Sequence, residues 1–170
     1  MFRKSILILL SLLLALTPVL AESYPNPEVE ADEYCAMSGD LYVEYGMPYS
    51  DPYEVALYLH AFIELPCNFI SKYDAEDLGW SSSAGNLWDV TDQMSIGGNK
   101  FGNYEELLPV AKGRQYYECD VNYFGGYRGA ERLVFSNDGL IYYTNDHYNT
   151  FTLLYDFWYW ADVEYPLEAY

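Results

Sequence analysis

Arg114-Gln115-Tyr116-Tyr117-Glu118-Cys119-Asp120-Val121-Asn122-Tyr123 alternates with a period of two. On a strand, Tyr117, Cys119, Val121 and Tyr123 share one face, which reads as core. Tyr116, Glu118, Asp120 and Asn122 share the other, which must meet water or line a site. Glu118 would then project from a sheet rather than from a mobile loop, and that rigidity suits a reacting group.

C-terminal to this strand, turn clusters at Gly125-Gly126, Ser136-Asn137-Asp138-Gly139 and Asn145-Asp146 separate further alternating runs, the pattern of antiparallel strands. N-terminal to it the period changes. Asp51-Pro52-Tyr53-Glu54 opens a helix: Asp51 can cap, Pro52 suits the first turn, and Glu54 completes a capping-box pattern. Val55, Leu59, Phe62 and Ile63 follow at helical spacing, and Leu65-Pro66 should end the helix. Two shorter helical stretches are expected near Ser71–Leu78, where Ser71 can cap, and Ala84–Val90, joined through Gly79-Trp80. Ser95-Ile96-Gly97-Gly98 lacks the lysine and following helix of a phosphate loop and reads as a turn that shapes the sheet. Helices first and strands second give an α+β fold, with N-terminal helices packed on an antiparallel sheet.

The ends of the 170-residue chain read differently. Arg3 and Lys4 precede a run from Ile6 to Leu16 that is apolar apart from Ser11, and Pro18-Val19-Leu20-Ala21 ends in a small residue. This is the pattern of a secretory signal, residues 1–21, cut after Ala21. The run is short for a membrane span, so a secreted, extracellular protein is expected. Residues 22–50 form an acidic, tyrosine-rich segment without sustained period, read as irregular or as a pro-region. The globular domain would occupy 51–155, and 156–170 is an aromatic and acidic extension.

Removing the two cations of the signal leaves six against 26 acids, a net charge of −20. Such a surface repels polyanions at long range and argues, on charge alone, against a nucleic-acid partner. The positions of the six remaining cations are therefore informative: Lys72, Lys100, Lys112, Arg114, Arg128 and Arg132. The three cysteines are too few and too far apart for a standard zinc site. A Cys35–Cys67 disulfide, with Cys119 as a buried thiol on the strand, is the simplest arrangement for an exported chain.

From about Tyr53 to Tyr155 the chain resembles the barnase-like bacterial guanyl-preferring ribonucleases. The resemblance is carried by Phe69-Ile70-Ser71-Lys72 and Leu78-Gly79-Trp80, then by Gly85-Asn86-Leu87 and Ser95-Ile96-Gly97-Gly98 with Phe101. It continues through Glu118, Asp120 and Asn122-Tyr123, Gly126-Tyr127-Arg128, Arg132 and Leu140-Ile141-Tyr142. Thr144-Asn145-Asp146-His147-Tyr148 and Thr150-Phe151-Thr152 complete it in one register. The fold it implies, helices on an antiparallel sheet, agrees with the order of elements above.

By position, the resemblance makes Glu118 the general base, His147 the general acid, and Lys72, Arg128 and Arg132 the phosphate-binding cations. Three of the six mature cations thus fall at these places. The residue types suit single-stranded RNA, which carries its own nucleophile, the 2′-OH, so that no metal or cofactor is implied. Glu118 would take the 2′-OH proton, His147 would protonate the departing 5′-oxygen, and guanidinium groups would meet the developing charge on phosphorus. The loop Phe101-Gly102-Asn103-Tyr104-Glu105 matches the family's guanine site, with Glu105 accepting from the base edge and Tyr148 stacking on a base. Tyr104 departs from the arginine usual in the family. Arg114 and Asp138 match a structural ion pair. The resemblance also implies a small acidic protein inhibitor, of the barstar kind, as a partner.

Two other functional classes are compatible with parts of this sequence. The density of tyrosine and tryptophan would suit a secreted binding module, for carbohydrate for instance. A pseudoenzyme on the same fold would have lost one of Glu118, His147, Lys72, Arg128 or Arg132, and all five are present. An acidic segment, 22–50 or the C-terminal extension, could also lie over the cationic site and restrain it.

Overall fold

A computed structural model describes residues 35–156. The expected signal at 1–21, the first part of the acidic segment and the C-terminal extension from residue 157 lie outside the described residues. In chain order the elements are β1 (Cys35–Ser38), β2 (Leu41–Glu44), α1 (Pro52–Phe62), β3 (Phe69–Ile70), α2 (Lys72–Asp77) and α3 (Leu87–Val90). They continue with β4 (Ser95–Phe101), β5 (Tyr116–Asp120), β6 (Arg132–Ser136), β7 (Ile141–Thr144) and β8 (Thr152–Tyr155). Strands β3 to β8 form one sheet in sequence order, and β1 and β2 form a separate hairpin. The fold is α+β. Its sheet is mixed rather than wholly antiparallel, because β3 runs parallel to β4.

Helix α1 begins as its sequence requires. The Asp51 carboxylate accepts hydrogen bonds from the Tyr53 and Glu54 amides, at 2.8 and 3.3 Å, with Pro52 in the first turn. Such a cap stabilises a helix by about 1 kcal/mol. The helix ends three residues before Leu65-Pro66, where Ile63 turns left-handed (φ 60°) and its amide closes on the Leu59 carbonyl. Val55, Ala56 and Leu59 pack against Cys119, Val121, Leu133 and Ile141 of the sheet. Cys119 alternates with Glu118 and Asp120, so α1 covers the sheet face opposite those carboxylates.

Part of the acidic segment that reads as irregular is ordered. Gly39, at φ 62°, occupies the first place of a two-residue turn that joins Ser38 to Leu41, a position suited to glycine in a tight hairpin. Val43 is fully buried and packs with Leu57 and Tyr58 on the outer side of α1. The hairpin therefore sits behind α1, away from the face that carries Glu118. Cys67 bears a free, exposed thiol and Cys119 a free, buried one, so the expected Cys35–Cys67 disulfide is not formed. Cys35 is instead held at the open end of the hairpin, opposite Glu44. Burial pushes the Cys119 thiol well above its ordinary pKa, with the Asp120 charge adding to it.

Ser95-Ile96-Gly97-Gly98 proves to be strand, not turn. It opens β4, whose register with β5 shifts between Gly97 and Asn99, with Gly98 at φ 78°. Gly97 is needed for packing, since a Cβ there would lie 2.7 Å from the Phe69 ring and 2.9 Å from Cys119. The bulge sets Asn99 opposite Glu118. Strand β5 is shorter than the alternation suggests. It ends at Asp120, because Asn122 is left-handed (φ 52°) and its amide bonds to the Ser50 carbonyl instead of the ladder.

Candidate active site

The face of β5 that reads as polar is almost closed to water. Glu118 is 7 % exposed and Asp120 1 %, beside a cluster of Leu108, Tyr116, Val134, Leu140 and Tyr142. A carboxylate in such a place needs partners. Glu118 has two, one for each oxygen. The Lys72 ammonium lies 2.6 Å from Oε1, and the Tyr148 hydroxyl donates to Oε2 at 2.6 Å. Burial alone would raise the Glu118 pKa. The hydrogen bonds from Lys72 and Tyr148, with the charges of Lys72 and Arg128, outweigh it and hold the carboxyl below its ordinary value.

Lys72 reaches Glu118 because the start of α2 is fixed at two points. Ser71 caps the helix by accepting from the Asp74 amide. The Lys72 amide donates to Asn99 Oδ1 at 3.1 Å, and Asn99 is the residue that the β4 bulge sets beside Glu118. Asn99 thus joins helix and sheet at the site, a role that the sequence reading did not assign.

Asp120 organises the arginines. It accepts from Arg128 Nε and Nη2, both at 2.6 Å, in a two-pronged pair. Arg132 Nε lies 2.8 Å from Oδ1, the oxygen that Arg128 Nη2 also meets, as an ion pair without hydrogen-bond geometry. Arg132 is 2 % exposed and also donates to the Glu131 carbonyl. Burial would lower the Arg128 pKa, but the Asp120 hydrogen bond and charge raise it above the ordinary guanidinium value. The sequence places Asp120 on the polar face of the strand and in a matching run, but gives it no role of its own. Its place two residues from Glu118, on the face shared with the cations, was the available signal.

His147 stands on the loop between β7 and β8, and Asp146 ties that loop down. Its carboxylate accepts from the hydroxyls of Thr144 and Thr150 and from the amides of Asn149 and Thr150, at 2.6–3.0 Å. The bonds from Thr150 and Thr144 hold the Asp146 pKa at about 2. This anchor offsets a real cost, because His147 and Tyr148 both have positive φ, 57° and 72°. Each costs a side-chain-bearing residue on the order of 1–3 kcal/mol. His147 is exposed, and its ring lies 4.8 Å from that of Tyr148. Tyr148 thus touches both the imidazole, through its ring, and the Glu118 carboxylate, through its hydroxyl. Asp146→Ala should let this loop relax and lower kcat by about 10–100-fold, with the sheet intact by circular dichroism.

The expected base-recognition residues lie next to this cluster. Phe101 closes β4, with its ring 5.2 Å from that of Tyr148. Asn103, at φ 44°, makes a reciprocal pair of side-chain bonds with the Leu108 backbone and turns the loop through Tyr104 and Glu105. Tyr104 is 91 % exposed, and its ring overlies Gly102 so closely that a Cβ there would lie 2.3 Å from it. Phe101, Asn103 and Tyr104 line a cleft of about 500 Å³, in which Glu106 takes part and Glu105 does not. Glu105 is exposed on the turn beside it. Tyr148, expected to stack on a base, spends its hydroxyl on Glu118 and has its ring inclined to both Phe101 and His147.

Two further basic residues have structural partners. Arg114 binds Asp138 through Nε and Nη2 at 2.7–2.9 Å. The His60 ring stacks on Tyr155 at 4.6 Å. Among the described residues no group of three or more His, Cys, Asp or Glu is placed to hold a metal, and no helix is long and apolar enough to cross a membrane.

A family model described as ribonuclease matches residues 55–155. The chain is 53% identical over 98 residues to a ribonuclease of Bacillus intermedius and, equally, to one of Bacillus pumilus. Each match covers 58% of this chain and 60% of the relative, so the chain spans less than two thirds of their length. A ribonuclease of Heyndrickxia coagulans is 53% identical over 97 residues, covering 57% of this chain and 89% of that protein.

Proposed function

We propose that this chain, which belongs to the ribonuclease family, is an endoribonuclease that cleaves single-stranded RNA by concerted action of Glu118 and His147. One observation carries the reading. A buried carboxylate on a rigid strand is bonded to Lys72 and to Tyr148, whose ring meets His147, while Asp120 holds two arginines on the same face.

Glu118 takes the proton of the 2′-OH as that oxygen attacks the adjacent phosphorus. His147, exposed and therefore able to meet the leaving group, gives a proton to the 5′-oxygen. The product is a 2′,3′-cyclic phosphate, which water opens with the two roles reversed. Lys72, Arg128 and Arg132 meet the charge that builds on the phosphoryl oxygens, and Asp120 presets the two guanidiniums so that little reorganisation is needed. Because the nucleophile belongs to the substrate, the reaction calls for no metal. An oligomer with 2′-deoxyguanosine in place of guanosine should remain uncut under conditions that cleave the RNA, and its cleavage would refute the mechanism.

Guanosine is the proposed base on the 5′ side of the cut. Phe101 and Asn103 shape the recognition loop, Glu105 offers a carboxylate to the Watson–Crick edge, and Tyr104 supplies a stacking ring but no charge. The chain would be exported by residues 1–21. A barstar-like inhibitor would engage the same three cations, and a net charge of −20 with tyrosine at 104 would weaken the steering of an acidic partner.

Activity requires Glu118 ionised, and its depressed pKa extends the ionised form toward acid pH. Tyr148→Phe removes one of the bonds that depress it. The acid limb of the kcat/KM profile should then move to higher pH while the basic limb stays in place. An unchanged acid limb would show that the Tyr148 hydroxyl does not act on Glu118.

A further inference from the structure

A chain with net charge −18 repels RNA at long range, so contacts other than charge must hold the strand to either side of the cut. Nucleobases offer one such contact, because every base has a face that stacks on an aromatic ring. The loop between β5 and β6 carries exposed rings next to the arginine of the site. Tyr127, directly before Arg128, is 72 % exposed.

Exposure of a large ring on a mobile loop would mean little. This loop, however, is seated on its neighbours. A Cβ at Gly85 would lie 3.0 Å from the Gly126 backbone, 3.1 Å from the Tyr127 amide and 3.2 Å from the root of the Tyr127 ring. A Cβ at Gly125 would lie 2.8 Å from the Trp88 indole. The Tyr123 hydroxyl, itself in a buried cluster with Trp88 packed against it, donates to the Gly126 carbonyl at 2.9 Å. Backbone and ring base are thus fixed while the ring stays open to water. Two residues at φ 89° and 75°, Gly125 and Gly126, make the turn that places it. Arg128, the next residue, points inward to Asp120. The chain therefore presents a cation to the site and a ring to solvent from adjacent positions.

We propose that the Tyr127 ring is a stacking seat for a base of the RNA substrate beyond the two nucleosides that flank the cut. The inference rests on the ribonuclease reading for the identity of the ligand. The phosphate engaged at Arg128 brings the strand alongside the ring, and the ring, unlike a lysine, holds a base without dependence on salt. The seat is insensitive to base identity, since it reads a π-face and not an edge.

Binding of a fluorescein-labelled hexanucleotide with a single 2′-deoxyguanosine at the cleavage position tests the seat without requiring turnover. Fluorescence anisotropy should show Tyr127→Ala about tenfold weaker than the unaltered protein, and Tyr127→Phe, which keeps the ring, close to it. Steady-state cleavage gives the complement: a raised KM for an all-ribo hexanucleotide in Tyr127→Ala, with kcat and the constants for GpU unchanged. Equal binding of the hexanucleotide by Tyr127→Ala and the unaltered protein would overturn the proposal. So would a phenylalanine variant as weak as the alanine one, or an equal loss on GpU, which would place the effect at Arg128. Absence of RNA cleavage by the unaltered protein would instead count against the ribonuclease reading, and the anisotropy would still report on the seat.

Discussion

Glu118→Gln is expected to lower kcat by about 10²–10⁴-fold on an RNA substrate, with little change in KM. The substitution keeps the shape of the side chain and an oxygen for Lys72 or Tyr148, but removes the basic group. Lys72 has a side chain 37 % exposed, so water can solvate its ammonium when the carboxylate is gone. The melting temperature should therefore move by only a few degrees, and the loss is one of chemistry and not of fold. His147→Ala should produce a loss of the same order, since the 5′-oxygen then leaves without a proton. If the two act in one step, the double variant is hardly worse than the poorer single variant, because removal of either partner already abolishes the concerted path. Losses that multiply would indicate two independent contributions and contradict the coupled mechanism.

Asp120→Ala is expected to have the largest effect on stability of any substitution at the site. Asp120 is 1 % exposed and neutralises Arg128 and Arg132, of which Arg132 is itself 2 % exposed. Removing the carboxylate leaves a guanidinium buried without its counter-charge, and breaking a buried pair in this way costs about 3–5 kcal/mol. In a domain of this size that corresponds to a fall of about 10–20 °C in Tm. Activity should fall with it, since neither arginine would keep its aim. Asp120→Asn retains an acceptor of the same shape and should lose less stability. Urea unfolding of the three proteins checks the order, and a loss under 1 kcal/mol for Asp120→Ala would mean that the arginines find other partners.

What could be read in advance follows from how local each signal is. Asp51-Pro52 declares a helix start because cap and first turn are made by adjacent residues, and both act as expected. The alternation around Glu118 gives a strand because neighbouring side chains must point to opposite faces. Its polar face proved buried, since cations and aromatic rings from distant parts of the chain close over it, and no period of two reveals that. The hairpin of β1 and β2 escaped because its four-residue strands carry no clean alternation, although Gly39-Asp40 was a turn signal. The stop of α1 at Ile63 depends on a left-handed residue that is neither Gly nor Asn, so Pro66 was the misleading marker. At Gly97-Gly98 two glycines suggested a turn, whereas Gly97 is required inside a strand by packing against Phe69 and Cys119, and Gly98 takes the positive φ of the bulge.

The candidate site divides in the same way. Glu118, His147, Lys72, Arg128 and Arg132 were named through family resemblance, and the structure brings Lys72 to Glu118 and both arginines to Asp120, while His147 lies against the ring of its chain neighbour Tyr148. The supporting residues, Asp120, Asn99 and Asp146, act through hydrogen bonds to partners remote in sequence or to backbone amides. Such bonds leave no mark in spacing. Tyr148 was expected to offer a base its ring, and the bond from its hydroxyl to Glu118 adds a role that only three-dimensional placement shows.

The most direct measurement is the chemical identity of the product that the protein, produced without residues 1–21, releases from an oligoribonucleotide containing one GpU step, in the presence of EDTA. Coupled action of Glu118 and His147 yields a fragment ending in guanosine 2′,3′-cyclic phosphate, which later opens to the 3′-phosphate, beside a partner fragment with a free 5′-hydroxyl. Mass spectrometry resolves these ends at early times. A fragment bearing a 5′-phosphate, or cleavage that stops in EDTA and returns with a divalent metal, would contradict the account.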